Sequence, residues 1–163
     1  TLANKYNVQA DIIHAVDRVN KLQDEILASK VLNELQKCEN KTVGILGLSF
    51  VPNTPVITES PAIKLIKELL NNDIRVVAYD PLAIDNTRTI FGSAVEYMSS
   101  VESCLRVSGL IVLTLRDATM KDALENYSPE SIVTIIDCWR FLDSEKLKGK
   151  RYRIVRLGAN SNS

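Results

Sequence analysis

Residues Thr42–Pro81, TVGILGLSFVPNTPVITESPAIKLIKELLNNDIRVVAYDP, decide the fold. Val43 to Leu48 is an apolar run broken by two glycines, which reads as a buried strand ending in a tight turn. A polar loop, Phe50 to Glu59, follows. Ser60-Pro61 then has the chemistry of a helix start: serine suits the N-cap, and proline suits the first turn, where its missing N–H costs nothing. The helix is expected to run from Pro61 to about Asn71, and Arg75 to Tyr79 reads as a second strand, closed by Asp80-Pro81. Strand, glycine turn, loop, helix and strand make the first half of a nucleotide-binding α/β unit. A phosphate-reading loop is expected to be basic, yet Phe50 to Glu59 has no lysine or arginine.

The pattern continues downstream. Gly109 to Leu115 (GLIVLTL) and Ser131 to Ile136 (SIVTII) are apolar runs rich in branched residues, as in strands covered on both faces of a parallel sheet. Asp117 to Tyr127 between them reads as a helix, and Tyr152 to Leu157 as an edge strand. The expected fold is α/β: a doubly wound, mostly parallel, five- or six-stranded Rossmann-like sheet preceded by a long α-helical segment. The closing GANSNS is expected to fray.

Upstream of the sheet, Ile12, Val16, Val19, Leu22, Ile26 and Val31 recur at helical spacing, widened by Ile13, Leu27 and Leu35. No proline or glycine interrupts Thr1 to Lys41, so one helix or two joined near Asn20 are both allowed. A helix of about 30 residues spans roughly 45 Å, longer than one small domain needs. It either bridges to another domain or partner, or folds back on its own sheet. The division is placed at residues 1–40 for the helical segment and 41–163 for the sheet domain.

Composition narrows the class of function. The 163 residues are 45% hydrophobic and 25% charged, with twenty basic and twenty acidic side chains and no net charge. That balance gives no field to draw in nucleic acid or an anionic membrane. No apolar run approaches the roughly 20 residues needed to span a bilayer, and the start lacks the pattern of a signal peptide. The first residue is Thr, which fits an excised piece of a longer chain. Three scattered cysteines, Cys38, Cys104 and Cys138, and a single histidine, His14, give no metal-ligand spacing. Free thiols fit a reducing cytoplasm. Apolar neighbours favour core roles for Cys104 and Cys138 over nucleophilic ones, and His14 reads as structural.

In an open parallel sheet, ligands bind outside the carboxyl ends of the strands. Those ends carry Gly47 to Phe50, Tyr79 to Pro81, Leu115 to Asp117 and Asp137 to Arg140. Gly44 and Gly47 supply only part of a G-x-G-x-x-G fingerprint. Asp80 is either a ribose contact or a turn starter. Trp139 and Arg140 either stack on and clamp a nucleotide or cover the end of the sheet.

The pattern GILGLSF-x-P-N-T, ESPAIKLIKELL and VVAYDP resembles the C-terminal domain of the UDP-glucose/GDP-mannose dehydrogenase family, and AVDRVNKLQ resembles the end of that family's central helical domain. The resemblance implies a parent enzyme that oxidises the sugar C6 hydroxyl of a UDP-sugar twice with NAD, giving a uronic acid. It implies a homodimer formed through the N-terminal helix. It places an NAD-binding Rossmann domain before Thr1, and a catalytic cysteine in a glycine-rich segment that this sequence does not contain. The chain alone is therefore expected not to turn over substrate, and to be the domain that closes over the UDP end.

By resemblance the substrate contacts are Phe50, Pro52, Thr54, Glu59, Asp137 and Arg140. Phe50, Thr54, Ser60 and Pro61 match the family's usual F-K-x-x-T-D-D-x-R-x-S-P. Val51 stands at the lysine, Pro55 and Val56 at the two acids, and Thr58 at the arginine. Where the family writes D-G-R, this chain has Asp137, Cys138 and Trp139, with Arg140 one residue late. A hydrogen bond to a charged group contributes roughly 1.5–3 kcal/mol, and about 1.4 kcal/mol is tenfold in affinity. Losing two such contacts weakens phosphate binding by about two orders of magnitude or more. Lys64 and Lys67, on the next helix, are expected to be solvated and poor substitutes. Three readings follow: the capping domain of an active dehydrogenase, a divergent non-catalytic relative serving oligomerisation or regulation, or an unrelated Rossmann-like binding module.

Overall fold

The computed structural model describes residues 2–157, without the side chains of residues 2–13, Ala15 and Asp17. The expected fraying of GANSNS, and the contribution of Ile12 and Ile13 to the helical stripe, lie outside the described residues. Six strands form one sheet: β1 (Val43–Leu46), β2 (Val76–Tyr79), β3 (Glu96–Tyr97), β4 (Leu110–Leu113), β5 (Val133–Asp137) and β6 (Tyr152–Arg156). Every pairing is parallel, and the order is β3-β2-β1-β4-β5-β6. This is the doubly wound order, with its reversal between β1 and β4. β1, β4 and β5 are buried along their whole length, which explains their unbroken apolar runs. β6 is an edge strand, as expected from sequence.

Helices cover both faces: α1 (Leu2–Gln36) and α2 (Pro61–Asn71) on one, α4 (Val101–Val107) and α5 (Ala118–Asn126) on the other. α3 (Ile84–Phe91) and the short α6 (Ser144–Leu147) complete the set. α2 starts where its sequence says, with the Ser60 hydroxyl accepting the Ala62 N–H at 3.2 Å and Pro61 in the first turn. It buries Ile63, Leu65, Ile66 and Leu69, each contributing roughly 1.5–3 kcal/mol. Gly47 has φ +94°, and a Cβ there would lie 2.3 Å from the Leu115 Cβ. Only glycine lets the β1 turn pass so close to β4.

α1 is one helix of 35 residues, and at 1.5 Å per residue it is about 52 Å long. Its apolar stripe is divided. Leu27, Ala28, Val31 and Leu35 are buried in the core with α2 and β4, while Val16, Val19, Leu22 and Ile26 are exposed. The helix thus folds back on its own sheet over its last third and leaves an uncovered apolar face before that. His14 is exposed and belongs to neither group.

One expectation is corrected on α2. Lys64 is only partly exposed and pairs with Asp24 of α1 and with Glu59, each at 3.1 Å. It joins α1 to α2 and to the loop before α2 instead of standing free in solvent. Lys67 is exposed, as expected.

Candidate functional site: the carboxyl ends of the strands

Four aspartates sit at or just past the carboxyl ends of β2, β4 and β5, and backbone N–H groups occupy them. Asp80, buried after β2, accepts from the N–H of Leu48 at 2.8 Å, the N–H of Ser49 at 3.1 Å and the hydroxyl of Ser49 at 3.2 Å on Oδ2. Its Oδ1 accepts from Leu82 and Ala83, both at 2.9 Å. Five donors saturate a carboxylate that offers about four lone-pair sites. Asp80 therefore clamps the β1 turn to the start of α3 and has no capacity left for a ribose hydroxyl. Asp117 caps α5 through the Met120 N–H at 2.8 Å, and Asp143 caps α6 through Glu145 at 3.0 Å.

Asp137 is fully buried. Its Oδ1 accepts from the Trp139 N–H at 3.1 Å and its Oδ2 from the Leu142 N–H at 3.0 Å. These bonds shape the turn after β5, in which Arg140 adopts φ +52°. A non-glycine residue in the left-handed region stores strain that the surrounding bonds must hold. The Arg140 guanidinium donates to the Leu157 carbonyl at 3.2 Å and is otherwise exposed. The Trp139 indole N–H donates to the Thr114 carbonyl, just past the end of β4, at 2.9 Å. The Thr114 hydroxyl donates to the carbonyls of Leu46 and Gly47. A chain of hydrogen bonds thus runs from Trp139 across β4 to the glycine turn of β1, over the point where strand order reverses.

The loop after β1 is shaped by its own contacts. The Phe50 N–H donates to the Val56 carbonyl at 2.7 Å, and the Thr54 hydroxyl to the Val51 carbonyl at 2.8 Å. Asn53 and Glu59 have φ of +61° and +59°. Asn86 of α3 holds the loop from outside, donating to the Pro55 carbonyl at 2.7 Å. Phe50, Val51 and Val56 are exposed, Pro52 and Thr54 half-buried, and Glu59 exposed beside Lys64.

The structure therefore brings the predicted residues to one end of the sheet with different duties. Phe50, Pro52 and Arg140 present surface to solvent. Thr54 and Asp137 are engaged in holding loops, and Glu59 is engaged with Lys64. From sequence Arg116 is a strand-end residue with no assigned role. The structure exposes it just past the end of β4, with its guanidinium 5.4 Å from the centroid of the Phe141 ring. A basic residue immediately after an apolar strand was the available signal.

Burial, reinforced by Asp137, pushes the Cys138 thiol up to about 12, and burial with Glu96 does the same to Cys104. A thiol that stays protonated at neutral pH is a poor nucleophile. Among the described residues no group of three or more His, Cys, Asp or Glu side chains is placed to hold a metal ion. A dinucleotide does not fit the β1 turn either: Asp80 is saturated, and the turn leads into the Phe50–Glu59 loop instead of directly into a helix.

The sequence profile described as "UDP-glucose/GDP-mannose dehydrogenase family, UDP binding domain" matches residues 44–144, which run from β1 past the turn after β5. The chain belongs to the UDP-glucose/GDP-mannose dehydrogenase family. The UDP-glucose 6-dehydrogenase YwqF of Bacillus subtilis is 35% identical over 117 residues, covering 71% of this chain and 27% of the relative. The UDP-glucose 6-dehydrogenase of Rickettsia typhi is 29% identical over 163 residues, covering 97% of this chain and 37% of the relative. The chain thus spans well under half the length of these family members. A UDP-glucose dehydrogenase structure from Pyrobaculum islandicum shares the fold, with a TM-score of 0.67 at 23% identity over 84% of this chain and 29% of the other.

Proposed function

We propose that this domain binds the nucleotide end of a UDP-sugar in the crevice outside β1 and β4, as the substrate-capping part of a nucleotide-sugar 6-dehydrogenase. The carrying observation is the match to the family's UDP binding domain, which takes in the carboxyl ends of β1, β2, β4 and β5. Phe50 and Pro52 touch the ligand directly, and Arg140 flanks them with its guanidinium held by the Leu157 carbonyl. Thr54, Glu59 and Asp137 hold the loops that present them. The oxidation to a UDP-uronic acid, the NAD that drives it and the catalytic nucleophile belong to the whole enzyme outside residues 1–163, in the cytoplasm. The test is calorimetric titration with UDP and UDP-glucose. Saturable binding with Kd below about 1 mM is expected, equivalent to about 4 kcal/mol. No heat of binding at several times that concentration overturns the reading.

A second role in assembly rests on α1. Residues 1–40 form the oligomerisation segment and 41–163 the ligand domain. Exposed Val16, Val19, Leu22 and Ile26 offer an apolar stripe to the same stripe of a second copy. Light scattering over a concentration series should show a dimer, and Val19→Glu with Ile26→Glu should return it to a monomer. The reading of the domain as a non-catalytic relative is favoured by one observation, the uncharged Phe50–Thr58 segment. It predicts the dimer without UDP binding.

A further inference from the structure

We propose that Trp139 is the stacking platform for the nucleobase of the ligand, in place of the basic contact that this chain has given up. The inference rests on the nucleotide-binding reading above and assigns its most specific contact. The indole is held at two points, its main-chain N–H on Asp137 and its ring N–H on the Thr114 carbonyl. It is nonetheless 53% exposed. Its single polar side-chain atom is bonded, so what the ring has left to offer a ligand is hydrocarbon and π surface.

The platform lies in the right place. Thr114 binds the indole on one side and the Leu46 and Gly47 carbonyls on the other. The ring is therefore anchored at the β1–β4 switch point, where doubly wound sheets take their ligands. It is also preorganised, since buried Asp137 and the left-handed Arg140 fix the turn that carries it, and little ordering is left to be lost on binding.

The chemistry around it favours a planar ring over an anion. The neighbouring Phe50–Glu59 loop has no lysine or arginine. Asp80, Asp117 and Asp137 are engaged with backbone donors. Arg140 is turned to the Leu157 carbonyl, and Arg116 lies over Phe141. Phe50, Val51 and Trp139 are exposed at this end of the sheet, and base–aromatic stacking is a contact that needs no charge.

The chain has one tryptophan, so its fluorescence reports this position alone. The chain is titrated with UDP, uridine, glucose 1-phosphate and inorganic phosphate, with calorimetry in parallel. Saturable quenching by UDP and uridine, with none by glucose 1-phosphate or phosphate, is expected. Trp139→Ala should weaken UDP binding roughly tenfold or more, the factor one base–aromatic stack carries, while Trp139→Phe stays within about threefold. Circular dichroism confirms that both variants fold. UDP binding by calorimetry with unchanged fluorescence, or undiminished in Trp139→Ala, overturns the platform and leaves the nucleotide reading standing. Quenching by glucose 1-phosphate but not uridine overturns the base assignment in favour of the sugar. Absence of UDP binding by calorimetry overturns both.

Discussion

The two ends of the sheet carry charges of opposite sign for the same reason. At the carboxyl end, Asp80, Asp117, Asp137 and Asp143 accept N–H groups of turns and helix starts. At the amino end, basic side chains donate to the carbonyls of helix ends. Lys41 reaches the Leu35, Gln36 and Cys38 carbonyls at 3.0, 2.8 and 2.6 Å. Lys150 donates to the carbonyls of Glu125 and Tyr127 at the end of α5, and Arg151 to the Glu130 carbonyl in the loop that follows. Helix starts leave N–H groups and partial positive charge, while helix ends leave C=O groups and partial negative charge. The charged residues named here are thus explained by turns and helix ends before any ligand is considered. What remains unexplained after that subtraction is the informative set: Trp139, Phe50 and Arg116.

The comparison breaks if the carboxyl-end aspartates are not structural. Asp80→Ala orphans buried donors from two loops and should cost roughly 3–5 kcal/mol in urea unfolding, because a lost carboxylate partner leaves desolvated N–H groups unpaired. A loss below about 1 kcal/mol would release Asp80 for ligand contact. Lys41→Met should cost about 1–2 kcal/mol by removing the cation from the end of α1, and unchanged thermal stability would mean that water serves those carbonyls equally well. Asp117→Ala should cost about 1 kcal/mol through loss of the α5 cap, while Asp117→Asn loses less.

Glu34 sharpens the contrast, as an acid placed at the basic end. Burial alone would raise its carboxyl, but Lys37 at 2.9 Å and Arg153 at 2.7 Å hold it below the ordinary value of 4.5. A carboxyl lowered in the folded state adds stability that is present above its unfolded value and lost as pH falls through the folded one. Acid unfolding should therefore steepen below pH 4.5, and Glu34→Gln should flatten that part of the profile. An identical acid limb in the variant would remove Glu34 from the account.

The legible parts of the fold were those with one local cause. The apolar runs of β1, β4 and β5 reflect burial on both faces, and Ser60-Pro61 fixes the start of α2. β3 is two residues long and has no periodicity to read. α4 is seven residues long, too short for its periodicity to stand out, and its start is marked by the Ser100–Ser103 capping box. The site was legible in its departures, since the missing lysines and arginines are visible in the residues themselves. The saturation of Asp80 was not, because its donors come from Leu48, Ser49, Leu82 and Ala83, on two separate segments. Nor was the division of the α1 stripe: Ile26 and Leu27 look alike in sequence, and only packing distinguishes them.

The anchoring of α1 gives the molecule a mechanical property. The helix is fastened from Asp24 to its end by the Lys64 ion pair, core contacts, Lys41 and the Glu34 ion pairs. The part before Asp24 extends about 33 Å at 1.5 Å per residue. It is a lever arm. By simple geometry, a tilt of about 5° at the anchor carries the far end roughly 3 Å, close to the rise of two helical residues. Small repacking between α1 and α2 is thereby amplified into a displacement large enough to be sensed by whatever that arm touches.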